Sequence, residues 1–237
     1  MNHPINIDHI LEVLLKELRI ETEEWLRGNP RSEEDFLNRI TEVLAKNRKC
    51  DVGIEESYSI NLKHYQLHRK GKNKTDRFGS DLAVTVWIPD KEFKKTCLFQ
   101  IKKSEHYKVT VEKHQIDEAS VFMPIRERSF VLTVDDPRGG IKIHSLKEVA
   151  EQFREEKYKS FDCGEWDALS TWMIKWLNCE VGAGNRPNVD PIPIEPLLES
   201  QLREQRQMTF DSFLYELPPD YNITKDWFEY KFIRKAQ

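Results

Sequence analysis

The sequence predicts a mixed α/β domain: an α, β, β, β, α, β succession in which a small mixed sheet is flanked by helices, followed by a helical C-terminal region. Three observations carry that expectation. An amphipathic helix pattern precedes three strand-like runs crowded between residues 55 and 102. A helical stretch at 110–122 separates these from a fourth run at 129–135. Aromatic residues make up 11% of the chain, enough to build a core although 33% of it is charged.

Residues 7–27 place Ile7, Ile10, Leu11, Leu14, Leu15, Leu18 and Trp25 at the i, i+3, i+4 spacing of an amphipathic helix, which "GNPRS" then breaks. Ser32 is a good N-cap, and Phe36, Leu37, Ile40, Val43 and Leu44 recur behind it, so a second helix is expected over 33–47. "EESYSINL" (55–62) alternates and is β-branched. "SDLAVTVWI" (80–88) and "KTCLFQIK" (95–102) are strands joined by the polar turn "PDKEFK", which makes them a hairpin. Residues 110–122 read as a helix capped by Thr110, "SFVLTVD" (129–135) as a strand, and "IKIHS" (141–145) as another after the turn "DPRGG".

Helices are expected at 145–157 and 165–179, the second carrying Trp166, Leu169, Trp172, Met173, Trp176 and Leu177 on one broad face suited to a core. Gly182, Gly184 and the prolines of "NRPNVDPIPIEP" mark a linker at 183–196. The chain thus divides into an N-terminal helix (1–31), a core (32–145), C-terminal helices packed on it (146–182), and a linker with an extension (183–237).

A net charge of −4 argues against indiscriminate coating of nucleic acid, but the charge is unevenly spread. Residues 61–77 carry Lys63, Arg69, Lys70, Lys72, Lys74 and Arg77 against one Asp, whereas 185–220 hold seven acids against three Arg. Cys50, Cys97, Cys163 and Cys179 lie far apart with no CxxC, so free thiols are expected. No apolar run approaches a membrane span, and the N-terminus has helical periodicity where a signal peptide would have a basic start, so a cytoplasmic protein with no membrane partner is expected.

The unusual stretch is "RFGSDLAVTVWIPDKEFKKTCLFQIKKSEHY" (77–107). Asp81 opens one strand, and Gln100 and Lys102 stand near the end of its hairpin partner. Side chains two apart in a strand point the same way, so Gln100 and Lys102 share a face and Ile101 takes the other. A turn centred on 90–91 sets Asp81 opposite residue 100 or 101. On the helix over 33–47, at about 100° per residue, Glu33 nearly shares the direction of the apolar face, whereas Glu34, Asp35 and Glu42 point well away. Singly, each residue has a plainer explanation. Asp81 can cap a turn after Gly79-Ser80, Gln100 and Lys102 can form a solvated strand end, and Glu33 can be a first-turn acid favoured by the helix dipole. Jointly, an acid, an amide and a lysine converge at one end of a sheet, with a second acid facing them.

Ser-Glu ahead of an amphipathic helix, then "GSD", then "FQIKK", in α-β-β-β-α-β order, resembles the PD-(D/E)xK nuclease superfamily with its restriction-endonuclease-like fold. It is most similar to the Mrr-type branch, in which Gln replaces the acid of the last motif. The resemblance covers roughly residues 30–136. Ser80 stands where the name-giving proline would be, and Gln100 supplies one anionic ligand fewer than Glu.

The resemblance implies a Mg²⁺-dependent endonuclease, with Mn²⁺ able to substitute. Hard cations of this kind want oxygen ligands, neutralise phosphate oxygens and acidify a water. Asp81 would be the central ligand, with the Gln100 side-chain and Ile101 backbone carbonyls beside it. Lys102 would orient or polarise the attacking water, and Glu33 would hold the metal through water or bind a second ion. Double-stranded DNA is the expected substrate, in a restriction or anti-phage role. Lys63, Arg69, Lys70, Lys72, Lys74, Arg77, Lys103, Lys108 and Lys113 are candidates for its backbone. The C-terminal region is left for target choice or for assembly, as a homo-oligomer or in a larger defence complex. The alternatives are a catalytically silent nucleic-acid-binding or protein-interaction module on the same fold, and a nuclease acting on RNA or branched DNA.

Overall fold

The computed structural model describes residues 32–44, 48–52, 56–67, 79–89, 93–120, 127–136, 140–153, 155–177 and 180–182. All fall within the first of the chain's two compact units, Met1–Val189. The expected helix over 7–27, the linker and extension over 183–237, and Arg69, Lys70, Lys72, Lys74 and Arg77 lie outside the described residues.

Helix α1 (Glu33–Leu44) starts where its cap predicts, with the Asp35 N–H donating to Ser32 Oγ at 3.2 Å and three acids in the first turn. Its apolar stripe, Phe36, Leu37 and Ile40, is buried. The strands β1 (Arg48–Val52), β2 (Glu56–Gln66), β3 (Leu82–Ile88) and β4 (Phe93–Glu105) follow as an antiparallel series. After β5 (Lys108–Glu112), helix α2 (Lys113–Ser120) carries the chain over to β6 (Ser129–Asp136), which pairs parallel with β4 from Leu98↔Ser129 to Glu105↔Asp136. A parallel neighbour cannot be reached by a tight turn, which is why a helix intervenes here. β7 (Ile141–Ser145), α3 (Leu146–Glu151), β8 (Tyr158–Asp162), β9 (Asp167–Ala168) and α4 (Leu169–Leu177) complete the described chain. The sheet runs β1-β2-β3-β4-β6-β7-β9, with β5 joined to β4 and β8 joined to β5, so it is mixed.

Alternation along the strands sends side chains into two cores. Phe99 and Ile101 of β4 pack with Phe36 and Leu37 of α1 and with Trp172 and Trp176 of α4. On the opposite face Val131 packs with Ile116 and Ala119 of α2 and Leu146 and Val149 of α3. The aromatic face of α4 is core, as expected, with Trp172 edge-on to Phe99 at 5.4 Å and to Phe130 at 4.9 Å, but Trp166, expected on the same face, precedes the helix and packs in the second core. Lys95 is 1% exposed beneath it and donates to the carbonyls of Trp176 and Val181, which gives a buried ammonium the acceptors it needs at a helix C-terminus. Cys97 and Cys163 are buried thiols that form no disulfide, while the side chains of Cys50 and Cys179 lie outside the described residues. Among the described residues no helix is long and apolar enough to cross a membrane.

Several elements differ from expectation. Residues 110–112 are strand, not the start of a helix: β4 runs on to Glu105, turns at His106-Tyr107 and returns as β5. Val109 and Val111 are buried between exposed Lys108 and Thr110, a period of two that merges without a break into the helical pattern. Both turn residues have positive φ (50° and 63°), a conformation usually marked by Asn or Gly and here carried by neither. In the C-terminal part, the helices expected at 145–157 and 165–179 shrink to α3 and α4. Between them β8 pairs with β5 and β9 with β7, partners distant in sequence. β1 was not anticipated, and β2 extends beyond the expected 55–62.

His144 of β7 stacks on Trp166 at 5.0 Å, with Nε2 3.2 Å from Glu148. Burial holds its pKa below 6.5 against the raising pull of Glu148 and Asp167, and burial lowers that of His64 as well. The folded state therefore binds fewer protons than the unfolded one. The stability this contributes is full above the unfolded value of about 6.5 and is lost as pH falls through and below it. Melting temperature should drop between about pH 7.5 and about pH 5.5 more steeply in the wild type than in His144→Gln. Equal slopes would assign the pH dependence to other groups.

Candidate active site

The centre of the site is the point where β3 ends and β4 continues. Leu82 pairs with Phe99, and the Asp81 N–H donates to the Phe99 carbonyl at 2.8 Å, which sets Asp81 opposite residue 100. Gly79, Ser80 and Asp81 are all buried, Asp81 at 8% exposure. Asp81 Oδ2 accepts the Ile101 N–H and Gln100 Nε2, each at 2.7 Å.

Between Asp81 and Glu105, where β5 pairs, no strand among the described residues covers that edge of β4, and the N–H groups of Ile101 and Lys103 are met by side chains instead. Ile101 gives its N–H to Asp81, and Lys103 gives its N–H to Glu33 Oε1 at 2.9 Å. In a strand, the N–H and C=O of one residue leave on the same edge. The Ile101 carbonyl therefore projects on the open edge between the two carboxylates. Glu33, Glu34, Leu37, Asp81 and Ile101 line a cleft of about 40 Å³ there, enough for a small ion or a few water-sized groups.

Gln100 shares the face of Lys102, as strand alternation requires, and is 1% exposed. Its Nε2 is engaged by Asp81, but its Oε1 is buried with no hydrogen-bond partner. Leaving such an acceptor unpaired costs about 1–3 kcal/mol. Lys102 Nζ lies 4.0 Å from Glu33 Oε2, and its side chain is 15% exposed. Among the described residues no three His, Cys, Asp or Glu side chains are grouped closely enough to hold a metal ion. The oxygens at the β4 edge are instead the Asp81 carboxylate and the Ile101 carbonyl, with Glu33 and Glu34 in the same cleft, while the Gln100 amide oxygen is buried and outside the cleft lining. An all-oxygen set suits Mg²⁺, which keeps several of its own waters, better than it suits a soft metal.

No protein-family model matches the chain, and no curated protein matches it. Among solved structures, that of D212, a nuclease from a fusselovirus, aligns over 73% of this chain and 93% of its own, at 11% identity and a TM-score of 0.34. A likeness that remote carries no argument about activity. The chemistry of the site rests on its own geometry.

Glu34 corrects the helical projection, which pointed it away from the sheet. It lines the cleft and is less exposed than Glu33. No sequence signal marked this: Thr41, seven residues on and 5% exposed, shows the buried arc of α1 extending towards Glu34, but as a polar residue it does not announce its burial. Of the candidate DNA-contacting residues, Lys103 is exposed next to the site. Lys113 is bonded to both oxygens of Asp117 at 2.8 Å, and Lys108 sits opposite Asp162 in the β5–β8 register, so each faces an acid. Lys63 lies on β2, its side chain outside the description.

Proposed function

We infer that the chain is a metal-dependent phosphodiesterase that cuts DNA, of the PD-(D/E)xK kind with Gln in the last acidic position. One observation carries this reading: the buried, unpaired Gln100 Oε1 belongs to the amide that holds Asp81, two residues before Lys102 on the same face of β4. Most buried amide oxygens are hydrogen-bonded, so one left open next to a buried carboxylate is available to a further partner. Asp81, Gln100 Oε1 and the Ile101 carbonyl would hold Mg²⁺ or Mn²⁺, with Glu33 or Glu34 reaching it through water. Bound there, the cation neutralises charge on the phosphate and acidifies a water.

The remaining work belongs to the chain. Lys102 presents an ammonium donor to the attacking water and to the oxygens that gain charge as the phosphorane forms. Glu33 keeps that ammonium aimed along the β4 edge through its fixed bond to the Lys103 N–H. Lys103 and the basic residues of 63–77 are proposed to carry the DNA backbone past the site. Restriction or anti-phage defence is the proposed role, supported by the resemblance to the Mrr-type branch.

The test is incubation of the purified chain with plasmid, linear duplex, single-stranded DNA and RNA in Mg²⁺, Mn²⁺ or EDTA. Duplex cleavage is expected with either metal and not in EDTA. Asp81→Asn should lower it by about a hundredfold or more, equivalent to about 3 kcal/mol of transition-state stabilisation. Asn is the suitable variant because it keeps an acceptor for Ile101 and Gln100, whereas Ala would orphan two buried donors at about 1–3 kcal/mol each. Duplex binding without cleavage in any metal would make the chain a binding module. Cleavage of RNA alone would move the substrate, and cleavage in EDTA would overturn the metal.

A further inference from the structure

We propose that Gly79 is the positioning residue for Asp81: its missing side chain lets residues 79–81 dock on the backbone of α2, and that contact sets where the Asp81 carboxylate meets Gln100 and Ile101. The inference rests on the reading of Asp81 as a metal ligand and adds to it the element that places the ligand.

Gly79 is buried, with φ +62°, a conformation that L side chains rarely adopt. A Cβ built there would stand 2.1 Å from the Gln115 carbonyl oxygen and 3.0 Å from the Ala119 nitrogen. Both are backbone atoms of α2, so no rotamer change can clear the space. Nor can the helix retreat. Ile116 and Ala119 on its inner face are 1% and 0% exposed and pack in the second core with Val131 and Val149.

The other end of the segment is pinned as well. The Asp81 N–H donates to Phe99 and its carbonyl accepts from the Leu67 N–H, both at 2.8 Å, while Ser80 between them is 0% exposed. A side chain at residue 79 therefore has two rigid bodies to push apart, and the segment that ends in Asp81 is the smaller. Restoring an ordinary contact from 2.1 Å needs a shift of about 1 Å, and a displacement of that size at a reacting centre costs on the order of a hundredfold in rate.

The experiment compares Gly79→Ala with Val149→Ala, a core truncation in the same cluster but away from the cleft. The readings are melting temperature, the Mg²⁺ concentration for half-maximal plasmid cleavage, and the rate at saturating Mg²⁺. Gly79→Ala should raise the half-maximal Mg²⁺ concentration about tenfold and lower the saturated rate about a hundredfold. Val149→Ala should lose melting temperature with wild-type metal dependence. If Gly79→Ala does not fold, Ser80→Gly serves, because it loosens the backbone between the Gly79 contact and Asp81 without adding bulk, and it too should raise the half-maximal Mg²⁺ concentration. A folded Gly79→Ala, or failing that a Ser80→Gly, with wild-type Mg²⁺ dependence overturns this proposal alone. Wild-type cleavage that ignores Mg²⁺ overturns the reading of the site, and Gly79 with it.

Discussion

Lys102→Ala should lower DNA cleavage by about 10²–10⁴-fold, the range spanned by positioned acid–base groups, while the protein keeps its fold. The two effects separate because the charge of Lys102 is held only weakly in the fold, so its removal leaves mainly a loss of stem packing. Its one described ion pair, to Glu33, is 4.0 Å long and its partner's side chain is 46% exposed, and such pairs contribute about 0–1 kcal/mol. In a domain of this size that pair accounts for at most about 4 °C of melting temperature, and the packing of the mostly buried stem adds to it. Single-turnover rates at saturating DNA and Mg²⁺, read together with melting temperature, make the check. Lys102→Arg sharpens it, because a guanidinium supplies positive charge but does not release a proton in a protein. Arg should recover part of the lost rate if Lys102 stabilises charge, and none if it moves a proton. Wild-type cleavage by Lys102→Ala would remove the residue from the site.

How much of this was legible in the sequence depends on whether the information is local. The cap and stripe of α1, the strands β3, β4 and β6 and the hairpin register follow from short-range periodicity, and Asp81 lies opposite residue 100 as a turn at 90–91 requires. β5 and β8 were not legible because their stability comes from each other: they pair across a separation that no local pattern records, and the turn that launches β5 lacks Gly or Asn. Within the site, residue identities were visible while two physical facts were not. Nothing in the sequence says that β4 outruns β3, or that Asp81 and Glu33 take over the unpaired N–H groups of Ile101 and Lys103. That arrangement also explains a cost the sequence conceals. Asp81 accepts two buried donors, so it is structural as well as chemical, and its replacement by Ala would confuse the two roles.

Gln100 separates them more cleanly, and its variants should move stability and activity in opposite directions. In the wild type, its Oε1 is buried without a partner at about 1–3 kcal/mol while its Nε2 holds Asp81. Gln100→Leu removes the orphaned oxygen, at the loss of one donor to a carboxylate that keeps the Ile101 N–H. Melting temperature without metal should stay level or rise, while cleavage falls about a hundredfold or more and the rise in melting temperature on adding Mg²⁺ shrinks. Gln100→Glu does the reverse. It sets a second carboxylate within hydrogen-bonding distance of Asp81, and like charges so close in a buried site disfavour joint ionisation. The metal-free protein should melt lower than wild type, Mg²⁺ should raise its melting temperature by more than in the wild type, and cleavage should persist. A cation that neutralises both carboxylates is the simplest agent able to turn that repulsion into binding energy. Thermal melts of the three proteins across a Mg²⁺ titration, with cleavage rates at each concentration, therefore test the oxygen directly. Superimposable metal responses in Gln100→Leu, Gln100→Glu and wild type would show that residue 100 never meets the ion, and its unpaired oxygen would then need a different partner.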